Sequence, residues 1–184
     1  MEKTDQPKII LVDCDVISHF ITNNCLDDLP KILAPHHCTI LDYVYYEATR
    51  QLLRKAFVDK LIKNGDFILM AFPSADLAIK EEFAKIKSYN YLIGDGERAC
   101  MAVAKHNKNI IASSNFKDIV PYCDKHGIFY LGTLDILSIA VTKGIYDETQ
   151  CDRFIQDAIK FNKARFPGSV TQMKFYIPKD LSFI

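Results

Sequence analysis

Short apolar runs alternate with helical patterns along most of this chain, and that alternation constrains the fold more than any other feature. The runs are rich in Ile, Val, Leu and Phe, and they lie at residues 9–12, 38–41, 67–72, 109–112 and 128–131. They lack the strict polar–apolar alternation of a half-solvated sheet, so they predict strands buried on both faces. Helices between such strands act as crossovers, which makes the strands parallel. The sequence therefore predicts an α/β fold with three layers, α/β/α, around a mainly parallel central sheet.

The segments between these runs carry apolar residues at the three- and four-residue spacing of helices. The patterns predict helices over 42–63, 75–88, 95–106, 116–125, 134–143 and 147–165. The stretch 166–184 holds two prolines and a glycine around a short apolar run at 173–177. This composition is typical of an extended tail with an edge strand at 173–177. We therefore expect one domain over residues 1–165 and a C-terminal tail, 166–184, packed on it.

Charge and targeting signals narrow the class of protein. The 184 residues include 23 Lys and Arg and 23 Asp and Glu, so the formal net charge is zero. This balance excludes binding of nucleic acid through bulk positive charge. The N-terminus lacks the apolar region of a signal peptide, and the apolar runs are too short to span a bilayer. Six scattered cysteines without a CxxC pair favour reduced core thiols. We therefore expect a cytoplasmic protein without membrane contact.

Polar residues gather where a parallel sheet places its ligand site, beyond the carboxyl ends of the strands. They follow the apolar runs or begin the next helices, and they are Asp13, Asp15, Glu47, Asp95, Glu97, Ser113, Ser114, Asn115 and Asp118. Carboxylates brought together repel one another, and divalent cations with oxygen ligands relieve that repulsion. A magnesium site that also accepts a phosphodiester is therefore one interpretation of this edge.

Each of these residues also has a purely structural interpretation. Asp13 can end a strand and Asp15 can cap the next helix. Asp95 and Glu97 fit the acidic first turn that complements a helix dipole. The serines and Asn115 are ordinary loop and N-cap residues. The order and placement of the whole set, rather than any one residue, favour a functional site.

The order of these motifs resembles that of PIN-domain nucleases. The similarity lies in IILVDCDVI at 9–17, YVYYE at 43–47, GDGERACMAVA at 94–104, NIIASSN at 109–115 and GIFYLGTLDIL at 127–137. It covers roughly residues 8–145, and the Gly-x-Gly-Glu in the third motif is similar to that of one subgroup of the family. Each motif alone is weak, whereas their order spans the whole domain.

The resemblance implies metal-dependent hydrolysis of RNA by a VapC-like toxin with a partner antitoxin. Asp13, Glu47 and Glu97 would be the catalytic carboxylates that bind one or two Mg²⁺ or Mn²⁺ ions. Asp15, Ser113 and Ser114 would orient water and the scissile phosphate. RNA contacts are expected from nearby cations, namely Arg50, Arg54, Arg98 and Lys117. Solvated helix faces are the alternative explanation for these four.

One residue departs from the family pattern. Asn115 stands where the family usually has an Asp, and it removes one negative charge from the expected metal ligands. Asp118 lies one helical turn further along and is the available substitute. The departure leaves a non-catalytic PIN-like module, which binds a protein or RNA, as an alternative function.

A phosphotransferase of the HAD type is a lesser alternative. Four apolar residues followed by Asp13-x-Asp15 are similar to its opening motif, and Gly94-Asp95-Gly96 is similar to its late metal-binding motif. The order disagrees, because the serine-bearing run follows the Gly-Asp-Gly motif, and Ala99 stands where the second acid is expected.

The segment 147–165 has the pattern of an amphipathic helix. Its apolar face can pack on its own domain, on a homodimer mate or on an antitoxin, and the sequence does not choose among the three.

Overall fold

A computed structural model of the protein describes residues 6–89 and 91–184. Five strands in this part of the chain form one sheet, and every neighbouring pair is parallel. The strands are β1 (Ile9–Val12), β2 (His37–Leu41), β3 (Ile68–Met70), β4 (Ile110–Ala112) and β5 (Tyr130–Leu131). Their order across the sheet is β3-β2-β1-β4-β5. The prediction of an α/β fold around a parallel sheet is confirmed.

Helices connect the strands and cover both faces of the sheet. They are α1 (Cys14–Thr22), α2 (Leu29–Leu33), α3 (Asp42–Ala48), α4 (Leu52–Asn64), α5 (Leu77–Tyr89), α6 (Asp95–Asn107), α7 (Phe116–His126), α8 (Thr133–Thr142) and α9 (Glu148–Asn162). On one face α6 packs against α5 and α7, whereas α1 packs against α9 and α2 against α8. The chain adds β2 and β3 on one side of β1 and then crosses to the other side of β1 to form β4 and β5. Because right-handed crossovers in opposite directions lie on opposite faces of a sheet, the two groups of helices cover opposite faces. The result is the predicted three-layer arrangement.

The centre of the sheet is the most deeply buried part of the molecule. Ile10, Leu11 and Val12 of β1 are fully buried, as is Ile111 of β4. In contrast, Ile68 on the edge strand β3 remains 45% exposed. The apolar runs therefore predict the central strands well, whereas the prediction of burial on both faces is wrong for β3, whose residues are exposed or half-buried.

The prediction of a single helix over 42–63 is wrong. Two helices, α3 and α4, occupy this stretch, and Thr49 ends the first of them. The Thr49 hydroxyl donates a 2.6 Å hydrogen bond to the Tyr45 carbonyl, which competes with continuation of the helix. Gln51 then adopts an extended backbone, with φ −101° and ψ 130°. The break leaves Leu52 and Leu53 exposed, although the helical pattern predicts that Leu52 is buried.

The C-terminal tail contains no strand, so the predicted edge strand at 173–177 is also wrong. Short 3₁₀ turns form at Pro167–Ser169 and Met173–Phe175. The Tyr176 hydroxyl donates to the buried Asp135 carboxylate at 2.5 Å, and the Phe183 ring stacks on Phe129 at 4.4 Å. Side-chain contacts rather than backbone pairing hold this tail against the domain. The predicted helix over 147–165 also ends early, at Asn162, where Lys163 turns the chain with a φ of 59°.

Two further observations bear on the sequence expectations. No helix within residues 6–89 and 91–184 combines the length and apolarity needed to cross a membrane. All six cysteines lie in these ranges, and none of them forms a disulfide.

Candidate active site

The polar residues predicted to cluster do so at the point where the strand order reverses. Asp13 follows β1, and Ser113, Ser114 and Asn115 follow its neighbour β4. The Asp13 N–H donates to the Ala112 carbonyl at 2.9 Å, which extends the pairing of the two strands beyond their regular ends. Open parallel sheets bind their ligands in the crevice at this reversal. The location is therefore the expected one for a functional site.

Asp13 is buried, and its carboxylate does not cap the helix that follows. It directly follows the end of β1 and occupies the N-cap position of α1, but its side chain makes no capping bond to that helix. The Ser113 hydroxyl donates to Asp13 Oδ2 at 3.2 Å. Burial raises the pKa of Asp13, and the neighbouring charges of Asp15 and Glu47 raise it further. Ionisation of the Asp13 carboxyl therefore costs free energy unless a cation offsets its charge.

Asp15 is held from two directions. Its Oδ1 accepts from the Val16 N–H at 2.6 Å, within its own helix. Its Oδ2 accepts from the Ser114 N–H at 2.8 Å and from the Ser113 hydroxyl at 3.4 Å. Burial raises the pKa of Asp15, while the bonds from Ser114 and Val16 partly oppose that rise. Asp15 therefore links α1 to the loop after β4.

Glu47 reaches the site through a close contact with a glycine. The Gly96 N–H at the start of α6 donates to Glu47 Oε1 at 3.1 Å. A Cβ atom at position 96 would lie 2.8 Å from Glu47 Oε2 and 3.1 Å from a methyl group of buried Val44. Gly94 has more room, because a Cβ there would stand 3.7 Å from Glu47. The second glycine of the Gly-x-Gly-Glu motif thus makes space for an acid from another helix.

Glu97, one residue further on, turns into the site. Its Oε2 accepts from the Asn115 amide at 3.0 Å. Its Oε1 is buried and has no hydrogen-bond partner in the part of the chain that the structure describes. Burial raises the pKa of Glu97, and the charges of Asp13 and Asp15 add to that rise. Among the described residues, a single hydrogen bond therefore offsets the negative charge of this buried acid.

Asn115 joins two acids that an aspartate in its place would repel. Besides its bond to Glu97, its amide nitrogen donates to Asp118 Oδ2 at 2.8 Å. Asn115 stands at the N-cap position of α7, yet its side chain makes no capping bond. The departure from the family pattern thus replaces a negative charge with a donor that links Glu97 to Asp118.

Sequence reasoning missed two residues beneath this cluster. The His19 ring nitrogen Nδ1 lies 2.9 Å from the Thr133 hydroxyl, which in turn lies 2.6 Å from the Ser114 hydroxyl. Burial lowers the pKa of His19 to about 4, so the ring is neutral at pH 7. The spacing of His19 four residues after Asp15 places both on one face of α1 and was the available signal.

The four cations expected to contact RNA are placed differently from one another. Arg50 and Lys117 are exposed, and Arg54 donates to the Ser18 hydroxyl at 3.0 Å. The Arg98 side chain is only 4% exposed; it pairs with Asp95 and lies over the Phe83 ring. Contact with a phosphate backbone requires an exposed guanidinium, so the buried position of Arg98 speaks against that expectation.

The carboxylate oxygens of this site suit a hard divalent cation, although their present positions do not form a complete coordination shell. Within residues 6–89 and 91–184, no three His, Cys, Asp or Glu side chains form a ready group for a metal ion. The carboxylates are nevertheless near enough to interact: the charge of Glu47 raises the pKa of Asp13, and the charge of Asp13 raises that of Glu97. The unpartnered Glu97 Oε1 is a free ligand atom there. By chemistry, these residues fit Mg²⁺ or Mn²⁺.

Comparisons with known proteins add a distant structural likeness. The solved structure of FitAcB from Neisseria gonorrhoeae is similar over 67% of this chain and 97% of its own, at 15% identity and a TM-score of 0.47. No protein-family model and no curated protein matches the chain. A likeness this distant carries no information on activity or partners.

The contact between Gly96 and Glu47 predicts the outcome of adding one methyl group. Alanine is the better helix former, but its Cβ at position 96 displaces Glu47 and crowds Val44. We expect Gly96→Ala to lower the free energy of unfolding by about 1–3 kcal/mol. Urea denaturation of Gly94→Ala is the matched control, because its Cβ meets Glu47 at ordinary contact distance. Equal losses in the two variants would contradict this account.

The buried acids also predict how stability depends on pH. The pKa of Asp13 is raised to about 8 and that of Glu97 to about 9, above their ordinary values near 4. The contribution of these two acids to folding stability is complete at a pH below their ordinary pKa values. It is lost as the pH rises through their raised pKa values. Neutral His19 has the opposite effect below about pH 6.5, so the informative window is pH 7 to 8.5.

We therefore expect the melting temperature in EDTA to fall between pH 7 and 8.5. Added Mn²⁺ should raise it, and by more at pH 8.5 than at pH 7, since the acids must ionise to bind metal. The control is the double variant Asp13→Asn, Glu97→Gln, which should show a flatter profile and no response to Mn²⁺. A wild-type profile that matches this variant would refute the electrostatic assignment.

Proposed function

We propose that this protein is a PIN-like nuclease that hydrolyses phosphodiester bonds of RNA with Mg²⁺ or Mn²⁺. One observation carries the proposal: four carboxylates from three separate segments, two of them buried and two partly buried, converge where the strand order reverses. They are Asp13, Asp15, Glu47 and Glu97. The order of the surrounding motifs along the chain, which resembles that of PIN-domain nucleases, supports it independently.

Three of these acids are assigned to the metal. Asp13, Glu47 and Glu97 would hold it with carboxylate oxygens, and Glu97 Oε1 has no competing partner among the described residues. When bound, the cation lowers the pKa of a water molecule and offsets charge that develops on the phosphate. Asn115 contributes an amide that keeps Glu97 in place rather than a fourth charged ligand.

The remaining polar residues are assigned to orientation. Ser113 donates toward both Asp13 and Asp15, so its hydroxyl sits between the two acids. Ser114 holds Asp15 through its backbone N–H, and its hydroxyl bonds Thr133. A scissile phosphate next to these hydroxyls would meet donors that the fold has already fixed, which reduces the entropy lost on binding.

The HAD-type alternative fits this geometry less well. It requires Asp95 as a metal ligand, but Asp95 is exposed and pairs with Arg98. The acid that turns toward Asp13 is Glu97. The toxin role and the antitoxin partner remain predictions from the sequence resemblance, and the homodimer remains a prediction from the amphipathic segment 147–165.

Cleavage of RNA in the presence and absence of Mn²⁺ tests the proposal. We expect wild-type protein to cleave a single-stranded RNA with Mn²⁺ and to stop in EDTA. Asp13→Asn and Glu97→Gln should lose at least about 100-fold in rate, since each removes a ligand charge from the metal. Gel electrophoresis of the products measures this loss, and circular dichroism verifies the fold of each variant.

Asp124→Asn serves as the control, because Asp124 is an exposed acid on α7. The proposal fails if wild type and Glu97→Gln cleave equally, which would indicate a contaminating nuclease. It also fails if wild type shows no cleavage with either metal.

The role of Asn115 favours a second candidate, a module that binds without cleaving. Its amide donates to one oxygen of Glu97 and to Asp118 without a cation, which offsets part of their negative charge in the absence of metal. In a binding module, Mn²⁺ would neither support cleavage nor raise thermal stability.

Asn115→Asp separates the two candidates. It replaces a shared donor with a third acid, so the metal-free protein should lose about 1–3 kcal/mol of unfolding free energy. In a nuclease, the same change should increase both the Mn²⁺-induced rise in melting temperature and the cleavage rate. Asn115→Ala is the matched control, since it removes the donor without adding charge. If Mn²⁺ leaves the melting temperature of both variants unchanged, the result would support the binding module.

A further inference from the structure

A groove lies directly beside the acidic cluster and is closed on its far side by the segment after α9. Its volume is about 540 Å³, within the roughly 300–1,000 Å³ of ligand sites. Asp15, Ser114 and Asn115 line one wall, so the groove opens onto the candidate active site. Residues 162–167 line the other wall. The sequence assigns no role to that segment, although it forms half of this cleft.

The charge of the groove differs from that of the protein as a whole. Lys117, Lys163 and Arg165 line it and are exposed, and they form no ion pair with any residue in 6–89 or 91–184. Lys163 Nζ makes one bond, at 3.2 Å, to the Lys160 carbonyl of its own helix. Asp15 is the one acid among the described residues of the lining, and it is already held by Ser114. A chain of zero net charge thus presents, at one place, three cations without an ion pair among the described residues.

The cation-bearing wall is anchored rather than loose. Lys163 reverses the chain at the end of α9 with a left-handed backbone, and the N–H of the next residue, Ala164, donates to the Ala158 carbonyl at 3.2 Å. Phe166 is buried, and its ring meets the edge of His19 with 5.9 Å between centroids. Asn162 donates to the Ser18 carbonyl at 3.5 Å. Since these neighbours are fixed, Lys163 and Arg165 stay beside the groove.

We propose that this groove binds the phosphodiester backbone of single-stranded RNA next to the acidic cluster, through Lys117, Lys163 and Arg165. The inference rests on the proposed function for the identity of the strand. Polyanions are the ligands that such unpaired, solvent-exposed cations attract, and the open side at Asp15 and Asn115 leads toward the acids. Substrate affinity then comes from a local patch, consistent with a neutral protein.

A triple variant tests this assignment without touching the acids. Lys117→Gln, Lys163→Asn and Arg165→Gln remove the three charges, and Asn tolerates the left-handed backbone at position 163. The matched control removes three exposed cations outside the groove, Lys80→Gln, Lys87→Gln and Lys125→Gln. Binding of a fluorescent 20-nucleotide RNA is measured by anisotropy in EDTA over a range of salt concentrations.

We expect the groove variant to bind at least about tenfold more weakly at low salt than wild type. The slope of log affinity against log salt should shrink by about 2, since each single-strand phosphate contact contributes about 0.7. In Mn²⁺, the groove variant should show a raised KM for the 20-nucleotide RNA with kcat unchanged. The control variant should match wild type, and a dinucleotide substrate, too short to fill the groove, should be cleaved equally by all three.

The possible outcomes separate this inference from the proposed function. If wild type cleaves RNA and the groove variant binds like wild type, the groove assignment is wrong and the nuclease proposal stands. If RNA binds through the three cations but no divalent ion supports cleavage, the nuclease proposal is wrong and the groove stands. Displacement of RNA by polyglutamate at equal charge concentration would make an acidic protein segment the occupant and overturn the assignment to RNA.

Discussion

The pairing of β1 with β4 is the interaction on which the candidate site depends. These strands are about a hundred residues apart in sequence, yet Asp13 continues their hydrogen bonding one residue past the end of β1 by donating to the last residue of β4. The pairing brings the acids after β1 to the serines after β4. Because β2 lies on the other side of β1, the helix after β2 delivers Glu47 to the same edge. Sheet order, rather than local sequence, therefore assembles the acids.

Peptide N–H groups from distant segments hold two of the acids, whereas among the described residues Asp13 has only the peptide N–H of its neighbour Cys14 and Glu97 has a side-chain amide. Ser114 N–H holds Asp15, and Gly96 N–H holds Glu47. Asp13 and Glu97 receive one side-chain hydrogen bond each and carry strongly raised pKa values because of burial and mutual repulsion. The protein thus fixes the outer acids firmly and leaves the inner ones to be stabilised by protons or by a cation.

The sequence predicted the parallel fold and the convergence of the acids because both follow from the order of buried strands and what succeeds them. It did not predict the helix break, since the Thr49 bond to the Tyr45 carbonyl is a local competition that apolar spacing does not register. Arg98 was expected at the surface, but its side chain packs on Phe83, which a pattern of charges along a helix cannot reveal. The groove wall at 162–167 was invisible for a different reason: it depends on where α9 ends and on the anchoring of Phe166 against His19.

The bond from Gly96 to Glu47 also makes one backbone amide a reporter of the site. Gly96 lies in the first turn of α6, where amides have no carbonyl partner within the helix, so its protection from hydrogen exchange comes from Glu47. Glu97 follows directly in the same turn. An opening that frees Glu47 therefore breaks the tie between the helix after β2 and the turn that carries Glu97. The exchange rate of a single amide proton would measure how often the site comes apart.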